Sequence, residues 1–364
     1  MAGSTQPWKS LFLPLLLFAS PLYIVAFQSQ ISGSSPSLIS LVKNQKRNQA
    51  SSVVCQALDL KAGMEKIAAM NAELLAKKEG KELIGKETGG VKPLIQFPQE
   101  KVASKAEALS KLIQLEGCMS ISKILSQETS KELLEYINEE NDRSKKAVEN
   151  SLVPFDDRFG GVNCRGLNGI FGQRQDMFLP VSEGVVRKAL KEAVKSIEPL
   201  VHELVTPEGM IHEVSCLVSD PGAPRQCIHA DTIVLPCPQY PDVSMEPLYT
   251  FFIALQDVED DMGHTVFLPK THTPDAHLIW NTTQRQKEAF ISINKAVQSQ
   301  LKTGDVSIFD SRILHCGREN SSSKRRVLFY FTVSEQQNWP LPNGLHGSNS
   351  IRQEDRWRWQ IKDL

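Results

Sequence analysis

The stretch Ile228-His229-Ala230-Asp231 sets an imidazole and a carboxylate two residues apart. On an extended strand alternate side chains leave by the same face, so His229 and Asp231 point together. They supply two-thirds of a metal site. Of the other histidines (202, 212, 264, 272, 277, 315 and 346), His315 stands out, because it closes a strand that starts from the turn Thr303-Gly304-Asp305. Two imidazoles and one carboxylate leave adjacent coordination positions open, the facial arrangement of non-haem Fe(II) oxygenases. The same donors also suit zinc. A hydrolytic zinc site usually takes its general base from an H-E-x-x-H motif, which this chain lacks.

A basic residue beyond His315 separates these chemistries. The run Asn320-Ser-Ser-Ser-Lys-Arg-Arg326 leads into an apolar strand. A buried Arg binds a carboxylate through two parallel hydrogen bonds. Beside an iron site it would hold the far end of a keto acid that chelates the metal at its other end. Lys324 and Arg325 are rivals for the role. Alternation puts Arg326 on one face with Leu328, Tyr330 and Thr332 and turns Arg325 to the other, which favours Arg326.

The elements that must position these groups fall into two halves. The first is helical. Residues 59–80 have helical apolar spacing, and Lys92-Pro93 begins an extended connection. Glu116 to Ile121 is strand-like. A helix follows, with Thr129 and Glu132 as a capping box and Leu133, Leu134 and Ile137 on its apolar face. Residues 151–180 form a Gly-rich loop in which Arg165, Asn168, Gln173 and Arg174 could face a substrate, although composition alone favours ordinary solvent-facing side chains. A second helix carries Val186, Leu190, Val194, Ile197, Val201 and Leu204 on one stripe. After Gly209 the period becomes strand-like: Met210–Ser219, Gln226–Leu235, Leu248–Leu255, His264–Leu268, Val306–Phe309, Arg312–His315 and Arg326–Val333, with helix over 284–300. Short strands separated by turns predict a β-sandwich or barrel with helices against it, an α+β architecture.

The 364 residues suffice for one large domain or two small ones, and a net charge of -1 gives no sign of a nucleic-acid partner. Seven cysteines without a C-x-x-C pair argue against a disulfide framework and suit a reducing compartment. Residues 10–27 are apolar after Lys9 and read as a signal peptide rather than a permanent membrane helix. From Gln28 to Leu58 there is no Asp or Glu, and Ser is frequent, as in a transit peptide. The pair resembles the bipartite plastid presequence of algae with complex plastids, with Ala26-Phe27 at the junction. The expectation is plastid localisation, with secretion or an endomembrane lumen as the alternative. The divisions are 1–57 presequence, 58–110 helical or linker extension, and 111–364 the domain that holds the site.

Four segments together resemble the phytanoyl-CoA dioxygenase family over roughly residues 112–335. They are Asp-Pro-Gly-Ala-Pro-Arg-Gln-Cys-Ile-His-Ala-Asp231, Phe252-Ile-Ala-Leu-Gln-Asp-Val, Gly263-His-Thr-Val-Phe-Leu-Pro-Lys-Thr-His, and Thr303-Gly-Asp through Leu314-His-Cys-Gly-Arg-Glu-Asn-Ser. The resemblance implies a double-stranded β-helix (jelly-roll, cupin-like) core flanked by helices. It implies Fe(II) as the metal, with 2-oxoglutarate and O2 as co-substrates. It assigns His229, Asp231 and His315 to iron and Arg326 to the distal carboxylate of 2-oxoglutarate. It implies hydroxylation of a small-molecule or lipid-like substrate with release of succinate and CO2. Two positions depart from the family pattern: Lys270-Thr271 stands where Gly-Ser is usual, and Phe252 where Trp is frequent. Both bear on substrate choice more than on the metal. The rival expectations are a catalytically silent jelly-roll binding protein and a zinc-dependent hydrolase. His272 is expected to be structural, and the sequon at Asn320 a turn. Substrate contacts are expected from 151–180, 236–247 and 272–300.

Overall fold

In this computed structural model the described residues are 91–160, 171–232, 234, 235, 237, 242, 244–335 and 359–364. The presequence, the expected helix over 59–80, Arg165, Asn168, His346 and half of the 236–247 loop lie outside them.

In chain order the strands are β1 (Lys92–Pro93), β2 (Gln96–Pro98), β3 (Cys118–Ser122), β4 (Arg174–Phe178), β5 (Met210–Ser219), β6 (Tyr249–Ala254), β7 (Thr265–Phe267), β8 (Val297–Gln298), β9 (Val306–Asp310), β10 (His315–Gly317) and β11 (Arg326–Ser334). One sheet has seven strands in the order β2-β3-β9-β6-β11-β5-β4, and the other has four, β1-β8-β7-β10. From β5 onward the chain passes repeatedly from one sheet to the other. Segment 226–232 lies along the free edge of β10, with Gln226 N donating to Gly317 O and His229 pairing with His315. This winding of paired strands through two facing sheets is the jelly-roll, or double-stranded β-helix, topology.

Alternation divides the large sheet into two environments. Val214, Cys216, Val218, Phe251, Ile253, Val306, Ile308, Val327, Phe329 and Phe331 share one buried cluster with residues of four helices. These are α1 (Val102–Glu116), α2 (Gln127–Glu149), α3 (Gly184–Ser196) and α4 (Glu198–Leu204). Phe251 stacks on Phe331 with centroids 4.7 Å apart and planes 7° from parallel, an arrangement that adds about 0.5–1.5 kcal/mol beyond area burial. The intervening residues Phe252, Ala254, Leu328 and Tyr330 face the barrel interior, where Phe267 and Phe309 join them. The helical layer and the functional cavity therefore use opposite faces of the same strands.

Several local expectations are corrected. The stripe from Val186 to Leu204 is two helices, because Ile197 leaves helical geometry before Glu198 and Pro199 restart the chain. The first cap of α2 is Ser126, whose side chain accepts from Thr129 N; Thr129 Oγ1 instead donates to Glu192. Residues 102–116, with no expected element over most of their length, form α1, and β1 and β2 just before it each join a sheet. The stretch 226–235 is not a regular strand but touches β10 through the isolated bridge at His229. Arg312–Leu314 is turn, and the strand begins at His315. The 284–300 segment divides into α6 (Gln284–Ile293) and β8, preceded by α5 (Pro274–Trp280).

The turn into β9 depends on Gly304. Its φ is +83°, and a Cβ there would collide with Leu125 O. Its carbonyl accepts from the backbone N–H groups of Ile124 and Leu125. Gly304→Ala should cost more than about 1 kcal/mol. The check is a lower urea midpoint at unchanged slope; an unchanged midpoint would show that the turn relaxes freely.

Candidate metal centre and cavity

His229 and His315 face each other across a hydrogen-bonded antiparallel pair: His229 N donates to His315 O at 2.9 Å and His315 N to His229 O at 2.8 Å. Their imidazole centroids come within 4.6 Å. Asp231 returns to the same face two residues on, held by its N–H on Ser311 O. The expectation from alternation thus holds locally although no regular strand forms. Asp231 Oδ1 lies 3.6 Å from Nε2 of His229 and 3.6 Å from Nε2 of His315. These separations exceed a hydrogen bond. They fit two donors sharing an ion, since two metal bonds of about 2.1 Å reach at most about 4.2 Å. All three ligand atoms lie within 4.8 Å of one another.

The imidazoles are oriented for coordination. Nδ1 of His229 lies 2.8 Å from Cys227 O, and Nδ1 of His315 lies 3.0 Å from Ile313 O. A carbonyl only accepts, so the proton sits on Nδ1 and the Nε2 lone pair faces Asp231. Burial holds the His315 pKa below its ordinary value; the Asp231 carboxylate opposes this and the His229 ring adds to it. His315 is therefore neutral near pH 7, the state a metal ligand needs. Two imidazoles, one carboxylate and the space beside them suit a ferrous ion with open positions.

The cluster opens on a cavity of about 280 Å³ lined by strands of both sheets. Arg326 lines it and is 1% exposed. Its guanidinium donates to Gly263 O and, at 3.1 Å, to Ser219 Oγ, while Nε has no partner. Arg174 stands one strand away, donating to the same Ser219 Oγ at 2.6 Å. Register puts the three on one rung, with Ser219 opposite both arginines. Burial and then the Arg174 charge pull the Arg326 pKa down to about 9, so it remains a cation at neutral pH with a strong demand for an anion. Its rival Arg325 points outward and pairs with Asp220 and Asp142. Lys324 pairs with Glu259 at the surface.

Gln173 is exposed and takes no part in the cavity, but Arg174 is buried and lines it. His272 is structural: its Nε2 donates to Gln114 O. Asn320 is 1% exposed, with Nδ2 donating to Ser219 O and Lys324 O, so the sequon is a buried turn. Sequence reasoning missed Asp176, Glu213 and Tyr330, all of which line the cavity. A signal was present: the polar residues Glu213, Ser215 and Ser219 of β5 and Arg326, Tyr330 and Thr332 of β11 fall on one face of each strand, interrupted only by Leu217 and Leu328.

Asp176 retains some accessible surface, yet protein crowds its carboxyl. Desolvation pushes its pKa up to about 7; the Tyr330 hydroxyl, donating at 2.9 Å, opposes the rise, and the Asp231 charge adds to it. A carboxyl whose pKa rises on folding from its ordinary 3.8 stabilises the fold below that value, and the benefit is lost as pH climbs towards 7. Asp176→Asn removes the dependence. In the metal-free protein the variant should gain stability relative to wild type between about pH 5 and about pH 8.5. Urea midpoints at both pH values test this, and a gap that does not change with pH would refute it.

A jelly roll whose paired strands bring two histidines and an aspartate together above a buried arginine defines a class, the double-stranded β-helix of the non-haem oxygenase type. The profile of the phytanoyl-CoA dioxygenase (PhyH) family matches residues 113–328, and the chain belongs to that family. A curated relative, the iron/alpha-ketoglutarate-dependent dioxygenase ausU of Aspergillus calidoustus, is 28% identical over 120 residues, which are 32% of this chain and 37% of that one. The match thus spans little more than a third of the relative's length. Among solved structures, the non-heme alpha ketoglutarate dependent epimerase SnoN from nogalamycin biosynthesis superposes with a TM-score of 0.45 at 16% identity, over 68% of this chain and 93% of its own. AviO1 from Streptomyces viridochromogenes Tue57 gives 0.44 at 15%, over 65% and 97%. At those values neither informs the site, and the fold rests on strand order and the family match.

Proposed function

We propose that this chain is an Fe(II)- and 2-oxoglutarate-dependent dioxygenase that hydroxylates a small molecule, with His229, Asp231 and His315 holding the iron and Arg326 the distal carboxylate of 2-oxoglutarate. One observation carries the reading: the Nε2 atoms of both histidines converge on Asp231 Oδ1, in the same cavity as a buried arginine with an unpartnered Nε. When bound, iron and 2-oxoglutarate supply the oxidising power, converting the keto acid to succinate and CO2 as O2 is consumed. The chain's own residues do the rest. Cys227 O and Ile313 O hold the imidazole tautomers. Gly263 O and Ser219 Oγ fix the guanidinium plane. Phe267 and Phe309 pack on the His315 ring at 5.9 and 5.1 Å and keep water from it.

The test is anaerobic titration of the metal-free protein with Fe(II) and 2-oxoglutarate, followed by O2. The expected result is a visible charge-transfer band that needs both additions, then succinate in the presence of O2. Zinc binding without 2-oxoglutarate uptake would favour a hydrolase instead. The composition of residues 1–57 supports our placing the enzyme in a plastid. No helix among the described residues is long and apolar enough to cross a membrane.

A further inference from the structure

The charged side chains of the cavity lining have partners. Arg174 donates to Ser219 Oγ at 2.6 Å and to the carbonyls of Pro224 and Arg318, both at 3.1 Å. Asp176 accepts from the Tyr330 hydroxyl, and Glu213 is likewise engaged within the protein. Given the oxygenase reading, on which this step rests, the charges of Fe(II), the Asp231 carboxylate, the 2-oxoglutarate dianion and the Arg326 guanidinium cancel. No counter-ion is then left among the described residues of the lining for a charged substrate, and burying an unpaired charge is costly.

A second set of lining residues adjoins the metal ligands and carries no charge. Ser311 O accepts from the backbone N–H groups of both Asp231 and Thr232, at 2.9 and 3.1 Å, and Ser311 N donates to Leu248 O. Ser311 Oγ and Thr250 Oγ1 are bonded to each other at 2.7 Å. Thr250 pairs in register with Phe309, whose ring packs on His315 at 5.1 Å. Its other register partner is Thr332, six residues along β11 from Arg326 and so roughly 20 Å of strand from the arginine rung. Thr232, Thr250 and Ser311 all line the cavity, and Ala230, Leu248 and Phe252 are apolar members of the same lining.

These hydroxyls have hydrogen-bonding capacity to spare. Thr232 is 8% exposed, and its Oγ1 has no partner. In the Thr250–Ser311 pair one hydroxyl proton makes the bond, and the other has no acceptor among the described residues. A hydroxyl offers one donor and two lone pairs, and leaving them unmet in a buried wall costs free energy. We infer that the substrate is an uncharged alcohol whose hydroxyl seats against Thr232 and the Thr250–Ser311 pair, with its hydrocarbon skeleton against Ala230, Leu248 and Phe252. A hydroxyl both donates and accepts, so one group serves the open proton of the pair and the open oxygen of Thr232. A ketone accepts only. An ammonium or a carboxylate would enter this wall without a counter-ion.

The experiment compares probes that share a six-membered carbon ring: cyclohexanol, cyclohexanone, cyclohexylamine and cyclohexanecarboxylate. Binding is measured by calorimetry at neutral pH on the full chain loaded with Mn(II), with and without 2-oxoglutarate. In the fully loaded protein cyclohexanol should bind about ten-fold more tightly than either ion and about three-fold more tightly than the ketone, the scale of one neutral hydrogen bond or less. Thr232→Val, and separately Thr250→Val combined with Ser311→Ala, should remove most of the preference for alcohol over ketone; 2-oxoglutarate affinity, measured alongside, reports that the site is intact. Thr232→Val should also raise the urea midpoint of the ligand-free protein, because it deletes a buried hydroxyl without a partner. Equal or tighter binding of the amine or the carboxylate to the fully loaded protein, no binding of the alcohol, or an intact variant that keeps the full preference overturns the inference. If the variants do not fold, the four probes on the unaltered chain still decide it. Failure of 2-oxoglutarate to bind would instead strike the oxygenase reading, and the alcohol would then be judged against the ketone and the amine on the Mn(II) form alone.

Discussion

His315→Ala is expected to cut Fe(II)- and 2-oxoglutarate-dependent succinate formation by about a hundred-fold or more, because loss of a mere outer-sphere partner already costs 10–100-fold. The fold should survive. The pairing of β10 with segment 226–232 runs through backbone groups of His229 and His315, which the substitution leaves in place. What is lost is a buried ring packed between Phe267, Phe309 and His229, worth about 1–3 kcal/mol. Three measurements separate the effects: Fe(II) affinity by anaerobic titration, succinate per enzyme, and the thermal midpoint. The expected pattern is a collapse in the first two with a modest shift in the third. Retained iron affinity and turnover in a folded variant would remove His315 from the metal site.

The metal pair was legible because it needs only local geometry. His229 and Asp231 sit at i and i+2 in extended backbone, and that suffices even where a single bridge replaces a ladder. Arg326 was legible for the same reason: alternation along β11 sends it inward and Arg325 outward. Arg174, by contrast, lies in a stretch that reads as Gly-rich loop. Its strand exists because β5 offers an edge for Arg174–Phe178 to pair with, a tertiary fact that no local pattern announces. The break at Ile197 was hidden by an apolar stripe whose spacing runs on through Glu198-Pro199. Glu213 was masked by its neighbours, since β5 is buried on both faces and its few polar residues are diluted by Val, Ile and Cys.

These two kinds of position do different work. Residues legible locally hold the metal and the co-substrate, whose chemistry demands particular donor types. Asp176 and Glu213, which emerged only from register, give the cavity its polarity together with Arg174, whose residue type was visible in the sequence but whose strand was not. Strand pairing carries charge from one end of the inner face to the other without any continuous motif in the chain. A substrate pocket of this kind changes by single substitutions on inward positions while the outward face keeps its packing against the helices.

Arg326→Met should separate function from stability. The guanidinium is buried, lies close to the Arg174 cation, and leaves Nε without a partner. Each of these opposes folding of the metal-free protein. Removing the charge relieves them, but it also strips Gly263 O and Ser219 Oγ of a donor. The two effects offset, so the urea midpoint should move by no more than about 1 kcal/mol in free energy. Affinity for 2-oxoglutarate has no such offset. Losing a charge-assisted pair of hydrogen bonds of about 1.5–3 kcal/mol predicts a Kd roughly 10- to 150-fold higher. Arg326→Lys should recover only part of this, because a point charge cannot reproduce the planar fork. Arg325→Met is the control, since its partners Asp142 and Asp220 lie outside the cavity lining, and it should leave 2-oxoglutarate binding unchanged. If Arg326→Met instead unfolds the protein, or binds 2-oxoglutarate as wild type does, Arg326 is a structural cation and the co-substrate is anchored elsewhere, with Arg174 the nearest alternative on the same rung.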